Sequence, residues 1–220
     1  MKLEVARVAQ KTAITEAIIT LSEAEFRFKL RRTEDEQFFP EWCEDLPPLS
    51  EAEKSDLDRV RRRYLYHRTD GTLTEGTVTL LVGSPLLERA GFYDHPFKMG
   101  TEASVEIVLD QDDEDVEALR GRTDVFVLQN RLWVVVLESK RTTISATTAL
   151  PQTLAYMMTN PYPDKPVFGM VTNGDEIFFV KLSQQGTPEY DISDVFALLP
   201  LRNKLYNVLQ ILKRIGQVIS

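Results

Sequence analysis

Residues 121–156 read GRTDVFVLQNRLWVVVLESKRTTISATTALPQTLAY, and this stretch decides the fold. Two runs rich in β-branched and aromatic residues, 123–128 and 132–137, flank the polar break Gln129-Asn130-Arg131. Such a pattern predicts a tight hairpin of two central strands. Side chains alternate along a strand, so Glu138 and Lys140 share a face while Ser139 points away. In an antiparallel hairpin the start of the first strand lies beside the end of the second, which brings Asp124 toward Glu138. Two carboxylates at one sheet end make a hard oxygen site suited to Mg2+. A lysine beside them can hold an attacking water and offset charge on a phosphate in its transition state. The bland account of the same residues is a solvated strand end.

A third element follows. Residues 146–159 (ATTALPQTLAYMMT) read as a helix, with Pro151 acceptable in its first turn. Gln152 and Tyr156 are then four apart on one face. A polar helix face with a tyrosine packed on the sheet is the simpler reading of that pair. Upstream, Thr74 is an N-cap for TEGTVTLLVGSPLLERAGF, with Leu80, Leu81, Leu86 and Leu87 as an apolar stripe and Gly91 as the stop. Gly76 and Gly83 weaken this helix. Glu75 sits in its first turn, where the helix dipole favours an acid whatever its function.

Asp124, Glu138-x-Lys140 and Gln152-x-x-x-Tyr156, in this order and spacing, resemble the PD-(D/E)xK nuclease superfamily. The subgroup with a Gln-x-x-x-Tyr motif fits best. Within it the chain is most similar to the N-terminal nuclease domain of type I restriction enzyme R subunits, over roughly residues 71–182. The resemblance implies an α/β fold, a mixed sheet flanked by helices, and Mg2+-dependent cleavage of DNA, with Mn2+ as a substitute ion. It implies Asp124 and Glu138 as metal ligands, Lys140 as the catalytic lysine, and Gln152 and Tyr156 as supporting or backbone-contacting residues. Glu75 matches the acid on the family's opening helix; Glu102 and Glu106 compete for that role. Thr123 stands where the superfamily's name has a proline, a loss common in this subgroup.

Composition bounds the rest. A chain of 220 residues with 43% hydrophobic content is enough for one well-cored domain with an elaboration. The organisation expected is an N-terminal helical extension over 1–70 and a nuclease-like domain over 71–220. One cysteine, Cys43, rules out an internal disulfide and fits a reducing cytoplasm. His67 and His95 lack zinc-ligand spacing, so metal chemistry here is carboxylate chemistry. The N-terminus lacks a signal-peptide core, and no apolar stretch is long enough for a membrane span. No Gly-Lys-Ser/Thr phosphate loop occurs, so the expectation is a nuclease module without motor domains.

The net charge of −8 argues against a general nucleic-acid coat. Basic residues are nonetheless grouped. One group is Arg59, Arg61, Arg62, Arg63 and Arg68, with Tyr64 and Tyr66 interleaved; another is Arg202, Lys204, Lys213 and Arg214. Either group could track phosphates. For the first, a salt-bridged helix opened by a Ser50–Glu53 capping box is the stronger reading. Residues 14–32 carry helical pattern, and 33–50 form a Pro-rich acidic connector anchored by Phe38, Phe39 and Trp42. Residues 167–183 read as a hairpin turning at Asn173-Gly174-Asp175. A helix is expected over 193–218, with Val195, Leu198, Leu199, Leu205, Leu209, Leu212 and Ile215 inward. The expected sheet comprises 103–110, 123–128, 132–140, 167–172 and 176–182.

Two functions follow from different classes. One is a Mg2+-dependent DNA endonuclease of restriction, defence or repair. The other is a catalytically silent nuclease-fold protein serving as a DNA- or protein-binding accessory. The intact Asp124, Glu138 and Lys140 favour the first; the negative charge and missing motor favour the second. DNA is the partner implied, with a second copy or a motor or specificity subunit as protein partners.

Overall fold

The computed structural model describes residues 10–13, 20–71, 73–101, 105–110, 116–121, 125–128, 132–136 and 145–220. Strand β1 is Gln10–Ala13, helix α1 is Leu21–Phe28 and strand β2 is Arg31–Arg32. Helix α2 spans Glu51–Arg68, opened by the expected capping box between Ser50 and Glu53. Helix α3 has three parts, Glu75–Val78, a π-helical segment Thr79–Gly83, and Ser84–Arg89. Five strands follow: β3 Met99–Thr101, β4 Val105–Asp110, β5 Val116–Gly121, β6 Val125–Leu128 and β7 Leu132–Val136. A 3-10 turn at Ala146–Ala149 leads into α4, Leu150–Met157. Strands β8 Val167–Thr172, β9 Glu176–Ser183, β10 Glu189–Ile192 and β11 Phe196–Ala197 precede α5, Leu205–Ile219.

The central sheet has the order β2-β10-β9-β8-β7-β6-β3, with β11 paired to β9. Strands β7 and β8 run parallel, while β6–β7 and β8–β9 are antiparallel, so the sheet is mixed. A parallel pair needs a crossover, and α4 supplies it. The hairpin expected around residue 130 is present, with Val125 opposite Val135 and Leu128 opposite Leu132.

Alternation on β8 and β9 builds three layers. Val167, Val171, Phe178, Val180 and Leu182 pack with Ala24 and Phe28 of α1 and with Leu154 and Tyr156 of α4. Phe168, Met170, Ile177 and Phe179 pack on the other face with α2, α3 and α5. Both β8 and β9 are buried on both sides, which explains their unbroken apolar runs. Phe39 is buried against the second layer, with Phe38 and Trp42 partly buried beside it, so the acidic connector is anchored as its aromatics indicated.

Three expectations need correction. The 105–110 strand does not join the central sheet among the described residues; it pairs with β5, which pairs with β1, in a three-stranded sheet. The place beside β6 goes to β3. On α3, Leu80 is 70% exposed rather than inward, because it lies two residues from both Val78 and Val82, which face the core one turn apart; Leu81, Leu86 and Leu87 are on the core side as expected. The last helix begins at Leu205, not 193: Phe196 and Ala197 pair with β9, and Pro200 follows. Val195 and Leu199 are therefore exposed, whereas Leu198, Leu205, Leu209, Leu212 and Ile215 are buried as expected.

Candidate active site at one end of the central sheet

Antiparallel pairing brings the start of β6 and the end of β7 to the same end of the sheet, and β8, parallel to β7, ends there too at Thr172. Asp124 immediately precedes β6, and Glu138 and Lys140 follow β7. These three residues, and Glu102, lie outside the described residues. Glu106 lies on β4 in the three-stranded sheet. What is described is the scaffold around that sheet end.

Beyond Thr172 the chain turns through Asn173, Gly174 and Asp175, with Gly174 at φ +92°. The turn is held from within by Thr172, whose hydroxyl accepts from the Gly174 amide at 2.9 Å, and by Asn173, which accepts from the Glu176 amide at 2.8 Å. From outside, α2 clamps it. The Tyr64 hydroxyl donates to Asp175 at 2.7 Å, and the Arg68 guanidinium donates to both Asp175 oxygens at 3.0–3.2 Å. Burial, then the Asp175 carboxylate, pushes the Tyr64 phenol well above its ordinary value; the Asp175 hydrogen bonds raise Arg68. The Asp175 and Arg68 charges are thus paired with each other.

Glu176 does the same for the crossover. Its Oε2 accepts from Ser145 Oγ and the Ala146 amide, both at 2.9 Å. The entry to the Gln152–Tyr156 helix is thus tied to the first residue of β9. Helix α4 then lies close on β8: a Cβ at Gly169 would fall 3.1 Å from Met157 Sδ and 3.2 Å from Thr153 Cγ2. Pro151 sits in the first turn, where its missing amide costs no bond. Gln152 is half-buried, whereas Tyr156 is 1% exposed in the layer shared with α1. At about 1.5 Å per residue, Tyr156 lies about 6 Å further along the helix from the sheet end than Gln152.

Glu75 belongs to the same neighbourhood. A Cβ at Gly174 would fall 3.0 Å from Val78 Cγ2, so the first turn of α3 abuts the 173–175 turn. Thr74 caps that turn through the Thr77 amide, as its position indicated, and Glu75 is half-buried. Among the described residues no group of three or more His, Cys, Asp or Glu is placed to hold a metal ion. Asp175 and Glu176 are already engaged by protein donors, and Glu75 is the acid of α3 beside them. The acids described at this sheet end, Glu75, Asp175 and Glu176, carry carboxylate oxygens, the donor type that a hard ion such as Mg2+ takes.

Sequence reasoning identified the hairpin, the crossover helix and the Asn-Gly-Asp turn. It missed the supports: Arg68 and Asp175 are separated by 107 residues, and Glu176 and Ser145 by 31. No local spacing signals such pairs. The only hint was an acid pair directly after a turn.

A mixed sheet between helical layers, with the chain returning repeatedly to one sheet end, is an α/β fold of restriction-endonuclease-like architecture. The sequence matches the family of the type I restriction enzyme R protein N terminus over residues 20–187, and the chain belongs to that family. A search of curated proteins finds no match. Among the described residues no helix is long and apolar enough to cross a membrane.

Proposed function

We propose that this chain is a Mg2+-dependent DNA endonuclease of restriction, defence or repair type. The observation that carries the reading is the antiparallel pairing of β6 with β7 in a chain of this family, which sets the residue after Asp124 and the strand before Glu138 at one sheet end. In this reading Asp124 and Glu138 hold the ion, and Glu75 is the third acid. Bound Mg2+ supplies Lewis-acid polarisation of the scissile phosphate. Lys140 orients the attacking water by hydrogen bond and sets a positive charge beside the phosphate as negative charge grows on its oxygens. The water oxygen bonds to phosphorus as the bond to the leaving sugar oxygen breaks. Gln152 orients the carboxylates from α4, and Tyr156 fixes that helix.

The test is cleavage of supercoiled plasmid by purified protein with Mg2+, with Mn2+ and with EDTA. Asp124→Ala, Glu138→Ala and Lys140→Ala are each expected to remain folded by circular dichroism and to lose metal-dependent cleavage. Equal activity in wild type and all three variants would sink the assignment. A folded wild type inert on every DNA form with either ion would favour the silent accessory instead.

A further inference from the structure

Five arginines on α2 form the basic group that stands out in the sequence, and the structure divides them. Arg59 pairs with Asp56. Arg61 donates to the Leu198 carbonyl at 2.9 Å and the Pro200 carbonyl at 2.6 Å. Arg68 is bound to Asp175. Arg62 and Arg63 are left exposed, with no hydrogen bond or ion pair among the described residues.

The same contacts bring in a second basic group from far along the chain. Arg61 holds the 198–200 backbone against α2, and Asn203 donates to Asp58 at 2.9 Å. Tyr206 donates to the same Asp58 oxygen at 2.8 Å. Arg202 and Lys204 flank Asn203, whose partner Asp58 lies one helical turn before Arg62 on α2. Neither Arg202 nor Lys204 has an ion-pair partner among the described residues; Asp58, which accepts from Asn203 and Tyr206 through one oxygen, keeps its charge and interacts electrostatically with Arg62 and Arg61. Beyond Arg62, Tyr66 is 71% exposed. Arg63 and Tyr66 lie on the half of α2 whose inward residues, Tyr64 and Arg68, clamp the 173–175 turn.

On a chain of net charge −8, four cations that form no salt bridge among the described residues, two on the outer side of α2 and two on the segment docked to it, fit a polyanion. We propose that Arg62, Arg63, Arg202 and Lys204 form a DNA phosphate-tracking surface that leads the duplex to the sheet end, with Tyr66 at its border. The proposal rests on the nuclease reading for its substrate, but binding and cleavage can be scored apart.

The experiment is fluorescence anisotropy with a short labelled duplex in EDTA across a salt series, using the full chain. Each phosphate contact contributes about 0.9 to the slope of log affinity against log salt. Arg62→Ala/Arg63→Ala and Arg202→Ala/Lys204→Ala are each expected to flatten the slope by about 2. Arg59→Ala, whose charge is already paired, should leave it unchanged. Double variants that bind like wild type overturn the surface, as does a wild type with no salt-dependent binding. If wild type cleaves plasmid while both double variants keep the wild-type slope, the surface falls and the nuclease stands. Binding with the expected slopes but no cleavage in Mg2+ leaves the surface and removes the nuclease.

Discussion

At position 174 the backbone takes φ +92°, where side chains are strained, and an added Cβ would also meet the Tyr64 hydroxyl at 2.6 Å. Gly174→Ala must therefore strain the turn and push away the tyrosine that holds Asp175. The expected cost is on the order of 2–4 kcal/mol, read by urea denaturation. Because the turn abuts α3 at Val78, displacement of Glu75 should follow, lowering any cleavage activity beyond the stability loss. Gln152 is the contrasting case. It is half-buried and makes none of the core contacts of Tyr156, so Gln152→Ala should leave the melting temperature nearly unchanged. If it orients the proposed carboxylates, activity should drop by roughly 10- to 100-fold. A variant with full activity would return Gln152 to the status of a surface residue. Position 152 was legible from its spacing to Tyr156; position 174 was legible as a turn, but not as a place where an aromatic from another helix lies against the backbone.

Elements were legible where one local rule governed them and illegible where contacts across the chain decided. The capping box starting α2 needs only Ser50 and Glu53, and it formed as read. On α3 the stripe held at Leu81, Leu86 and Leu87 and failed only at Leu80, which lies between the two core-facing valines Val78 and Val82. The 193–204 segment failed because Phe196 is buried by pairing with β9, a long-range choice that helical periodicity does not weigh. Between elements, Glu53 also accepts from Lys213 of α5 at 2.6 Å. That hydrogen bond, with the Ser50 amide, lowers the Glu53 carboxyl from 4.5 to about 2. A carboxylate lowered in the folded state stabilises above its unfolded value and loses that contribution as pH falls through the folded value. The α2–α5 link should thus weaken between about pH 4.5 and about 2. Melting temperatures of wild type and Glu53→Gln should differ most near neutrality and converge toward pH 2. A difference independent of pH would mean that the residue acts through packing alone. Glu176→Ala tests the other inter-element tie: losing the acceptor for Ser145 and Ala146 should cost about 1 kcal/mol, as loss of a helix cap does.

For the whole molecule, β8 and β9 carry both hydrophobic layers on alternate side chains, so neither layer exists without the other. Between them, helices α1 and α2 enter both. Ala24 and Phe28 of α1 close the layer over Tyr156, and Tyr190 reaches α1 through a 2.8 Å hydrogen bond to Glu25. Leu57, Val60 and Tyr64 of α2 close the opposite layer over Phe168 and Phe179. From the sequence these helices resemble an extension, because amphipathic pattern reports that a face is buried but not against what. The consequence is a prediction about truncation. A chain of residues 71–220 alone would expose the apolar faces of β8–β10 on one side and of α3 and α5 on the other. It should aggregate or remain without a cooperative transition, whereas the full chain should unfold with coincident changes in far-ultraviolet circular dichroism and tryptophan fluorescence. Adding residues 1–70 as a separate polypeptide should restore the transition if burial of these faces is what is missing. A soluble 71–220 fragment that melts cooperatively at the full-chain temperature would show that α1 and α2 lie on a core complete without them.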